Sequence, residues 1–424
     1  MNLTSTESGE SGTGAMRPDV LLQPRPTFLE KVLAKIRRGR LWAAVRARLH
    51  PWVQGLAHLF HDPAAGVVTL HAPALVAADP QDRALVERIF HAYGRMKADQ
   101  EKAGALYQPS PFWQRILADA YADLLAGLRD HDVARFHYFL QNFGAWPRDH
   151  AVESTVLIRD CAGSFLKSRY LRNAVFHRQL DLWKWFYDGR QPVSRLSYPT
   201  TGNQAGAYIN GVFVGPGSFF NEIHGTLLSG LLKGGTRPVV AELGAGYGKF
   251  AWFILRDLES FAYVDLDLPE TLCLAAYYMM KAFPDKRALL YGEEEFTPNA
   301  AGRYDLIFLP CYDIHKLAPR SVDLFLNKNS LGEMREDAVH NYTRLIARAT
   351  KWWFFHMNHD VARNYYSEHD EQDRGLLGYE YPMPPEEFRL LFRYPDMGHL
   401  LMPSSLGLRP DIFLYLYERR SDAA

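Results

Sequence analysis

The glycine-rich segment Gly244-Ala245-Gly246-Tyr247-Gly248 constrains the fold more than any other feature of this 424-residue sequence. It follows an apolar run, Val239–Leu243, and precedes the helical segment KFAWFILRDL. Glycines in such a turn tolerate positive φ and allow a ligand to approach the backbone closely. A strand, a glycine turn and a helix in this order predict a ligand-binding α/β domain.

Apolar runs and helical segments alternate after Arg237, which predicts a doubly wound, mostly parallel sheet. The segment DIFLYLY (411–417) predicts a last, antiparallel edge strand. Two interpretations of the third strand remain open: YDLIFLP, which we prefer, and ALLY (288–291). The other predicted strands are Val239–Leu243, Tyr263–Leu266, Val322–Leu326 and Trp352–Phe355.

The first half of the chain has a different pattern. Residues 1–26 are rich in Ser, Gly, Thr and Pro, which predicts a disordered tail. Residues 27–200 carry apolar side chains at helical spacing, which predicts a helical N-terminal domain before a sheet domain at 201–424. Residues 190–221 have the composition of a linker or loop. Residues 28–49 predict a basic amphipathic helix, which either packs on its own domain or lies on an anionic membrane surface.

Composition excludes several classes of protein. Lys+Arg and Asp+Glu both number 48, so net charge gives no reason to expect nucleic acid as a partner. The three cysteines are far apart and form neither a disulfide framework nor a thiolate zinc site. We find no apolar run of transmembrane length and no secretory signal, so we expect a cytoplasmic protein, with peripheral membrane contact through residues 28–49 as an open alternative.

Three details indicate the ligand of the glycine loop. Its G-x-G-x-G spacing lacks the third glycine of the dinucleotide fingerprint, because Lys249 stands there. Glu242, which precedes the loop, would crowd a pyrophosphate but suits the cationic methionine part of S-adenosylmethionine. Asp267 lies 267 − 248 = 19 residues after Gly248, where an acidic side chain accepts hydrogen bonds from ribose hydroxyls, with Asp265 as the second choice.

These features resemble motifs I and II of class I S-adenosylmethionine-dependent methyltransferases. The whole chain resembles bacterial sugar O-methyltransferases in YQPSPFW (107–113), FLQNFG (139–144), AELGAGYGKF (241–250), DLPETLCLAAYY (267–278) and VDLFLNKNSLGEM (322–334). The resemblance implies a seven-stranded fold and methyl transfer to a sugar hydroxyl, in natural-product or polysaccharide biosynthesis. An aromatic or polyketide hydroxyl as acceptor, and a non-catalytic S-adenosylmethionine-binding protein, remain alternatives.

Further candidates for cofactor binding follow from the ends of the predicted strands, where ligands of doubly wound sheets bind. If YDLIFLP is the third strand, the segment after it reaches toward adenine; if ALLY is, Glu293 does. The cofactor-binding candidates are Glu242, Gly244, Ala245, Gly246, Gly248, Asp265, Asp267, Leu268, Cys311, Tyr312, Asp313 and Asn327.

Methyl transfer to a hydroxyl needs a general base or a metal. His356 and His359 follow the predicted fifth strand and are the preferred bases, with Glu333 as an alternative base or orienting group. His224 precedes the first strand and would act from a lid. Each has a simpler explanation: His356 as a buried core residue, and Glu333 as a helix cap. His356, His359 and Asp360 are suitable metal ligands, but their spacing is not diagnostic and we predict no metal.

Four aromatic residues in the predicted loop region form either a wall for the face of a sugar or packing between domains. They are Tyr198, Tyr208, Phe219 and Phe220. The expected partner is a small-molecule or saccharide acceptor.

Overall fold

The computed structural model describes residues 67–148, 150, 155–361, 375–398 and 411–421, together with Val45, Leu49, Trp52, Val53 and Leu56. All of the described residues belong to one compact unit, residues 45–424. The predicted tail at 1–26 lies outside the described residues. So does the predicted basic helix at 28–49, except for Val45 and Leu49, which are helical. Membrane contact through this segment therefore stays a prediction.

A small antiparallel sheet lies within the segment that the sequence predicts to be a linker. It consists of β1 (Val68–His71), β2 (Gly206–Ile209) and β3 (Val212–Val214), in the order β1-β2-β3. The prediction of a loop over 190–221 is thus wrong in part. Most residues of β2 and β3 are buried, and three or four residues are too few to give a clear period in the sequence.

Helices occupy most of the chain between the two strands β1 and β2, as the apolar spacing predicts. Val86, Ile89, Tyr93 and Met96 form the buried face of the first of them. A π-helix, 171–177, separates the sixth and seventh α-helices. The described α-helices are α1 (Arg83–Gln100), α2 (Pro111–Asp119), α3 (Ala122–Arg129), α4 (Val133–Asn142), α5 (Thr155–Ala162), α6 (Phe165–Tyr170), α7 (Arg178–Phe186), α8 (Ser218–Leu232), α9 (Lys249–Leu255), α10 (Pro269–Ala282), α11 (Ala300–Arg303) and α12 (Glu336–Ala349).

The early helices share a hydrophobic core with the later part of the chain. Phe139 and Phe143 of the FLQNFG segment are fully buried, and the ring of Phe143 lies 5.2 Å from that of Tyr247 in the glycine loop. Tyr247 in turn lies 4.9 Å from Tyr278 of α10. Residues 83–282 are therefore packed together, and the predicted domain boundary near residue 200 stays a prediction.

The main sheet has eight strands in the order β10-β11-β9-β8-β4-β5-β7-β6. All of its pairs are parallel except those of β11, which is antiparallel to both of its neighbours. The strands are β4 (Val239–Leu243), β5 (Ala262–Asp267), β6 (Ala288–Leu290), β7 (Leu306–Pro310), β8 (Val322–Lys328), β9 (Thr350–His359), β10 (Phe388–Pro395) and β11 (Ile412–Arg419).

Helices cover both faces of this sheet, so the predicted doubly wound α/β arrangement is confirmed. Val240 and Tyr263 face a core shared with α8, α9 and α10. Ala241 and Val264 point to the opposite face, where they pack in a core with α12. Because neighbouring residues of a strand point to opposite faces, both sides of each central strand are apolar.

The structure differs from the predicted sheet in the number of strands and in the position of the last strand. The preferred third strand is confirmed, since β7 pairs with β5, but the competing segment also forms a strand, β6, beyond it. The sheet therefore has eight strands instead of seven. The last strand is antiparallel as predicted, but it is not at the edge, because β10 pairs with its outer side. Apart from Phe388, few side chains of β10 are buried, so it gives little alternation in the sequence.

None of the described helices is both long enough and apolar enough to cross a membrane.

Candidate functional site

The glycine loop has the backbone geometry that its spacing predicts. Gly244, Gly246 and Gly248 have φ of 77°, 66° and 85°, a left-handed region that other residues rarely adopt. A Cβ at Gly244 would lie 2.2 Å from Oγ of Ser330, and one at Gly248 would lie 2.7 Å from Cγ of Met279. Glycine is therefore required both by conformation and by close packing.

Asp267 fixes the loop from the end of β5. Its Oδ2 accepts a hydrogen bond from the Gly246 N–H at 3.0 Å, and its Oδ1 accepts one from the Leu268 N–H at 2.7 Å. Burial raises the pKa of this carboxyl to about 6, although these hydrogen bonds and that of Thr271 oppose the shift. Asp267 is thus a carboxylate at neutral pH.

Glu242 lies beside Asp267, at the end of β4. Its side chain is buried, and its Oε2 accepts a hydrogen bond from the Tyr263 hydroxyl at 3.1 Å. Burial raises the pKa of Glu242 to about 7, while Tyr263 and the Lys328 ammonium lower it. A cation bound nearby would favour the carboxylate form.

Asp265, the second choice for ribose binding, does not reach the same place. It is paired in register with Glu242 but is fully buried under the loop. Neither of its carboxyl oxygens has a hydrogen-bond partner among the described residues. Burial, with the charges of Asp267 and Glu242, raises the pKa of Asp265 well above its ordinary value, so it is held as a neutral acid.

Asp265→Asn is expected to stabilise the folded protein at pH 7, because Asp265 has to take up a proton on folding at that pH and Asn does not. Because its pKa is raised on folding, the folded state retains a proton that the unfolded state loses. The contribution of Asp265 to the free energy of unfolding of wild type is largest below the pKa of the unfolded state, about 4, and declines as the pH rises above that value. Urea denaturation at pH 3.5 and pH 7 should show the gain only at pH 7. A variant less stable than wild type at pH 7 would contradict this assignment.

Of the candidates after β7 and within β8, one lines the proposed cofactor cavity and the others make contacts elsewhere. Cys311 lines the cavity described below. Tyr312 and Asp313 do not: the Tyr312 hydroxyl donates to the Met96 carbonyl, and Asp313 pairs with Lys316 at 2.7 Å. Asn327 is buried and its Nδ2 donates to the Leu243 carbonyl at 2.8 Å, so it supports the loop from behind.

A cavity of about 960 Å³ opens where β4, β5 and β8 end. One side is formed by the glycine loop with Glu242, Asp267, Leu268 and Cys311. Three other segments form most of the remaining wall: 105–114 with Ile116, the start of α8, and the region from Lys328 to Ala338. The remaining wall residues used below are Tyr107, Gln108, Phe112, Trp113, Gln114, Phe220, Asn221, His224, Phe250, Ser330, Glu333, Arg335, Asp337 and Asp396.

His224 lies in this cavity wall, but it is not part of a lid. It belongs to the fifteen-residue helix α8, which packs tightly on α9: a Cβ at the next residue, Gly225, would lie 2.7 Å from the Phe253 carbonyl oxygen. Burial lowers the pKa of His224 to about 4; Asp396 acts to raise it and Lys328 to lower it further. The imidazole is therefore neutral at pH 7 and can accept a proton.

The two preferred histidines lie outside the cavity wall. Both belong to β9, which extends to His359 and thus past the predicted end of that strand. The His356 ring stacks on Tyr415 at 4.3 Å between centroids, and burial lowers its pKa to about 3. His359 is buried as well. The next residue, Asp360, accepts a hydrogen bond from the Tyr415 hydroxyl and pairs with Arg393.

Glu333 does line the cavity. Its Oε2 accepts a hydrogen bond from the indole N–H of Trp113 at 2.9 Å, across 220 residues of sequence. Among the described residues, no group of three or more His, Cys, Asp or Glu side chains could hold a metal ion.

Of the four predicted wall aromatics, Phe220 lines the cavity. Phe219 and Tyr198 are buried in hydrophobic cores, and Tyr208 is on β2 with a ring 5.8 Å from Phe213. The aromatic wall is instead formed by the segment 105–116, with Tyr107, Phe112 and Trp113.

Several wall residues were not predicted from the sequence. Lys328 directly follows Asn327 at the end of β8, so the strand-end rule could have identified it. Asp396 follows β10, a strand that the sequence pattern does not indicate. The segment 105–116 has a recognisable helix start, since the Ser110 side chain caps α2 and Pro111 follows it, but nothing local indicates its distant contact with Glu333.

No protein-family model and no curated protein matches the sequence. Solved structures that match part of this chain include magnesium protoporphyrin IX methyltransferase from Synechocystis PCC 6803 with bound S-adenosylmethionine, at 12% identity and a TM-score of 0.31, covering 49% of this chain and 82% of that one. A S-adenosylmethionine-dependent methyltransferase from Aquifex aeolicus has 13% identity and a TM-score of 0.26, covering 46% and 87%. Mitomycin 7-O-methyltransferase has 14% identity and a TM-score of 0.28, covering 48% and 57%. At these identities and TM-scores, none of these likenesses carries an argument about function, which has to follow from the residues of this chain.

Proposed function

We propose that the protein is an S-adenosylmethionine-dependent O-methyltransferase that methylates a hydroxyl of a sugar or of a glycosylated small molecule. The observation that carries this proposal is that one cavity joins the three-glycine loop and Asp267 to a neutral, buried histidine, His224. A cofactor site and a proton acceptor in one enclosed space are what methyl transfer to a hydroxyl needs.

The residues at the loop fit S-adenosylmethionine. Gly244 allows the loop to pack closely against Ser330, where a Cβ would clash, and glycines in such a turn leave the backbone open to a ligand. Asp267 would accept hydrogen bonds from the ribose hydroxyls. Glu242 would lie near the cationic methionine part, where a positive charge offsets the cost of the buried carboxylate.

The bound cofactor would supply an activated methyl group, and the protein would prepare the acceptor. His224 would take the proton of the acceptor hydroxyl, because its imidazole is neutral at pH 7. Asp396 would stabilise the imidazolium that results, since its charge acts to raise the pKa of His224. The buried position of His224 and the enclosing walls would exclude water from the reacting atoms.

The part of the cavity wall outside the glycine loop supports a saccharide acceptor. Phe112 and Trp113 offer aromatic faces, and planar polar side chains stand among them, such as Gln108, Gln114 and Arg335. A few polar groups that fix orientation within an aromatic wall are typical of small-molecule sites. An aromatic or polyketide hydroxyl is the second candidate, because the same aromatic faces would stack on a planar ring.

The test is transfer of a labelled methyl group from S-adenosylmethionine to two acceptor panels, one of sugars and glycosides and one of phenols and polyketides. We expect label on the sugar panel and release of S-adenosylhomocysteine. Label on phenols alone would select the second candidate. Binding of S-adenosylmethionine, measured by calorimetry, without transfer to either panel would favour a non-catalytic binding protein.

Asp267→Asn is expected to weaken S-adenosylmethionine binding by roughly 10- to 100-fold, because a charged hydrogen-bond acceptor contributes about 1.5–3 kcal/mol. In wild type, affinity should fall as the pH drops through about 6, where Asp267 takes up a proton. The Asn variant should lose this part of the pH dependence and keep the part near pH 7 that is due to Glu242. Asp285→Asn, at an exposed turn, is the matched control. Equal affinity of the Asp267 variant and wild type at pH 7.5 would argue against this ribose contact.

A further inference from the structure

We propose that Lys328 stabilises the negative charge that the acceptor oxygen gains while His224 removes its proton. The inference rests on the proposed function and adds a second group to the chemistry of the same site. The cavity would then pair a base with a fixed cation at the point where methyl transfer occurs.

The position of Lys328 is the first support. It is the last residue of β8, at the edge of the sheet where the strands end, and it lines the cavity. Its Nζ donates to Oδ1 of Asn221 at 2.6 Å and lies 4.9 Å from the centroid of the Phe250 ring. Asn221 and His224 are three residues apart on α8 and so share one helix face. The ammonium is therefore held beside the base.

The charges around Lys328 are the second support. Its ammonium lowers the pKa of Glu242 on the cofactor side and that of His224 on the helix side. Lys328 thus lies near both Glu242, which would bind the cofactor, and His224, which would take the proton. An acceptor oxygen that is to reach the methyl group and His224 has to pass within the same field.

A cation at this place has an energetic consequence. It opposes binding of a cofactor that is itself positive, and the carboxylates of Glu242 and Asp267 offset that repulsion. The favourable interaction of Lys328 arises only when negative charge develops on the acceptor oxygen. An interaction that is stronger in the transition state than in the ground state accelerates the reaction instead of tightening binding.

The proposed step balances in atoms and charge. The acceptor O–H bond breaks and its proton moves to a ring nitrogen of His224. A bond forms between that oxygen and the methyl carbon as the carbon–sulfur bond breaks, and the electron pair of that bond remains on the departing sulfur. Lys328 keeps its protons throughout and acts by charge alone.

The first experiment compares Lys328→Gln, Lys328→Arg and the control Lys351→Gln, which removes an exposed lysine paired with Asp323. With the best acceptor of the labelling panels, Lys328→Gln should lower kcat about 100-fold. Measured at pH 8.5, so that loss of the ammonium does not leave Glu242 protonated, the variant should bind S-adenosylmethionine at least as tightly as wild type, because a like charge is removed. Lys328→Arg should recover part of kcat and the control should match wild type. A raised KM with unchanged kcat, or lost cofactor binding, would overturn the proposal.

The second experiment needs no turnover. NMR titration of the His224 ring in the full-length protein should give a higher pKa in Lys328→Gln than in wild type, because the ammonium that lowers it is gone. An unchanged titration would overturn the placement of Lys328 beside the base. If no acceptor is methylated by wild type, the proposed function fails, while this titration still decides whether Lys328 acts on His224.

Discussion

His224→Asn is expected to slow methyl transfer by roughly 100- to 10,000-fold, the usual contribution of a general base. The affinity for S-adenosylmethionine should not change, because His224 lies on α8 and the proposed cofactor contacts come from β4, β5 and the loop between β4 and α9. The measurement is single-turnover transfer of a labelled methyl group at saturating cofactor, together with calorimetric binding of the cofactor.

The pH dependence of the same reaction distinguishes His224 from other bases. Because its pKa is lowered to about 4, wild-type activity from this group should be lost only as the pH falls toward that value. The Asn variant should lack this acidic limb. Replacement of the exposed His340 by Asn should leave both rate and profile unchanged, which provides the control.

His356→Gln provides the opposite contrast. His356 stacks on Tyr415 and is fully buried, so its loss should lower thermal stability while kcat of the folded variant stays near wild type. If His356→Gln lost transfer and His224→Asn retained it, the base would be the one that strand order alone favours, and the assignment to His224 would be wrong.

The sequence favours His356 as the general base because its apolar pattern does not show how far strand β9 extends. The apolar run Trp352–Phe355 suggests that β9 ends before His356, which would then lie at the ligand-binding edge. The strand continues to His359, so His356 alternates within it and faces Tyr415. Apolar periodicity locates a strand well but not its end, and a shift of a few residues moves a side chain from the edge to the interior.

The conformation of the proposed cofactor loop was predictable because its signals are local. Gly244, Gly246 and Gly248 have positive φ, which glycine adopts with little cost in energy and other residues rarely adopt. The glycines in the sequence therefore indicate the conformation of the loop directly. Asp267 follows from its distance along one βα unit. Asp265 shows the limit of this reasoning: it shares a strand face with Asp267 but is two residues deeper and lies under the loop, outside the cavity wall.

The acceptor side depends on contacts between distant parts of the chain. Trp113 donates a hydrogen bond to Glu333, which is 220 residues away in the sequence. The charge of Asp396, which follows the edge strand β10, acts on the pKa of His224. Neither contact has a spacing that a single sequence can display, because it is set by how α2 and β10 pack around the sheet. Chemistry-bearing residues on such elements are found only when the fold brings them together.

Gly244→Ala is the substitution with the largest expected effect on cofactor binding. The methyl group would lie 2.2 Å from Oγ of Ser330 and 2.3 Å from its Cβ, and the backbone has φ of 77°. Left-handed backbone costs a non-glycine residue about 1–3 kcal/mol. Ser330 cannot move without loss, since its hydroxyl donates to the Leu243 carbonyl at 3.0 Å and accepts from Asn327. The loop should therefore shift, and affinity for S-adenosylmethionine should fall about 100-fold or more, which corresponds to roughly 2.7 kcal/mol.

Two further variants separate the contact with Ser330 from the backbone strain. In Gly244→Ala with Ser330→Gly, the methyl group has room, so affinity should return in part, and what remains lost reports the cost of φ at 77°. Gly230→Ala is the control, because a Cβ there meets nothing within 4 Å and the residue lies inside α8. It should leave binding unchanged and stabilise the helix by roughly 0.5–1 kcal/mol. If Gly244→Ala bound the cofactor as wild type does, the loop would tolerate a Cβ beside Ser330, and the requirement for glycine at this position would be wrong.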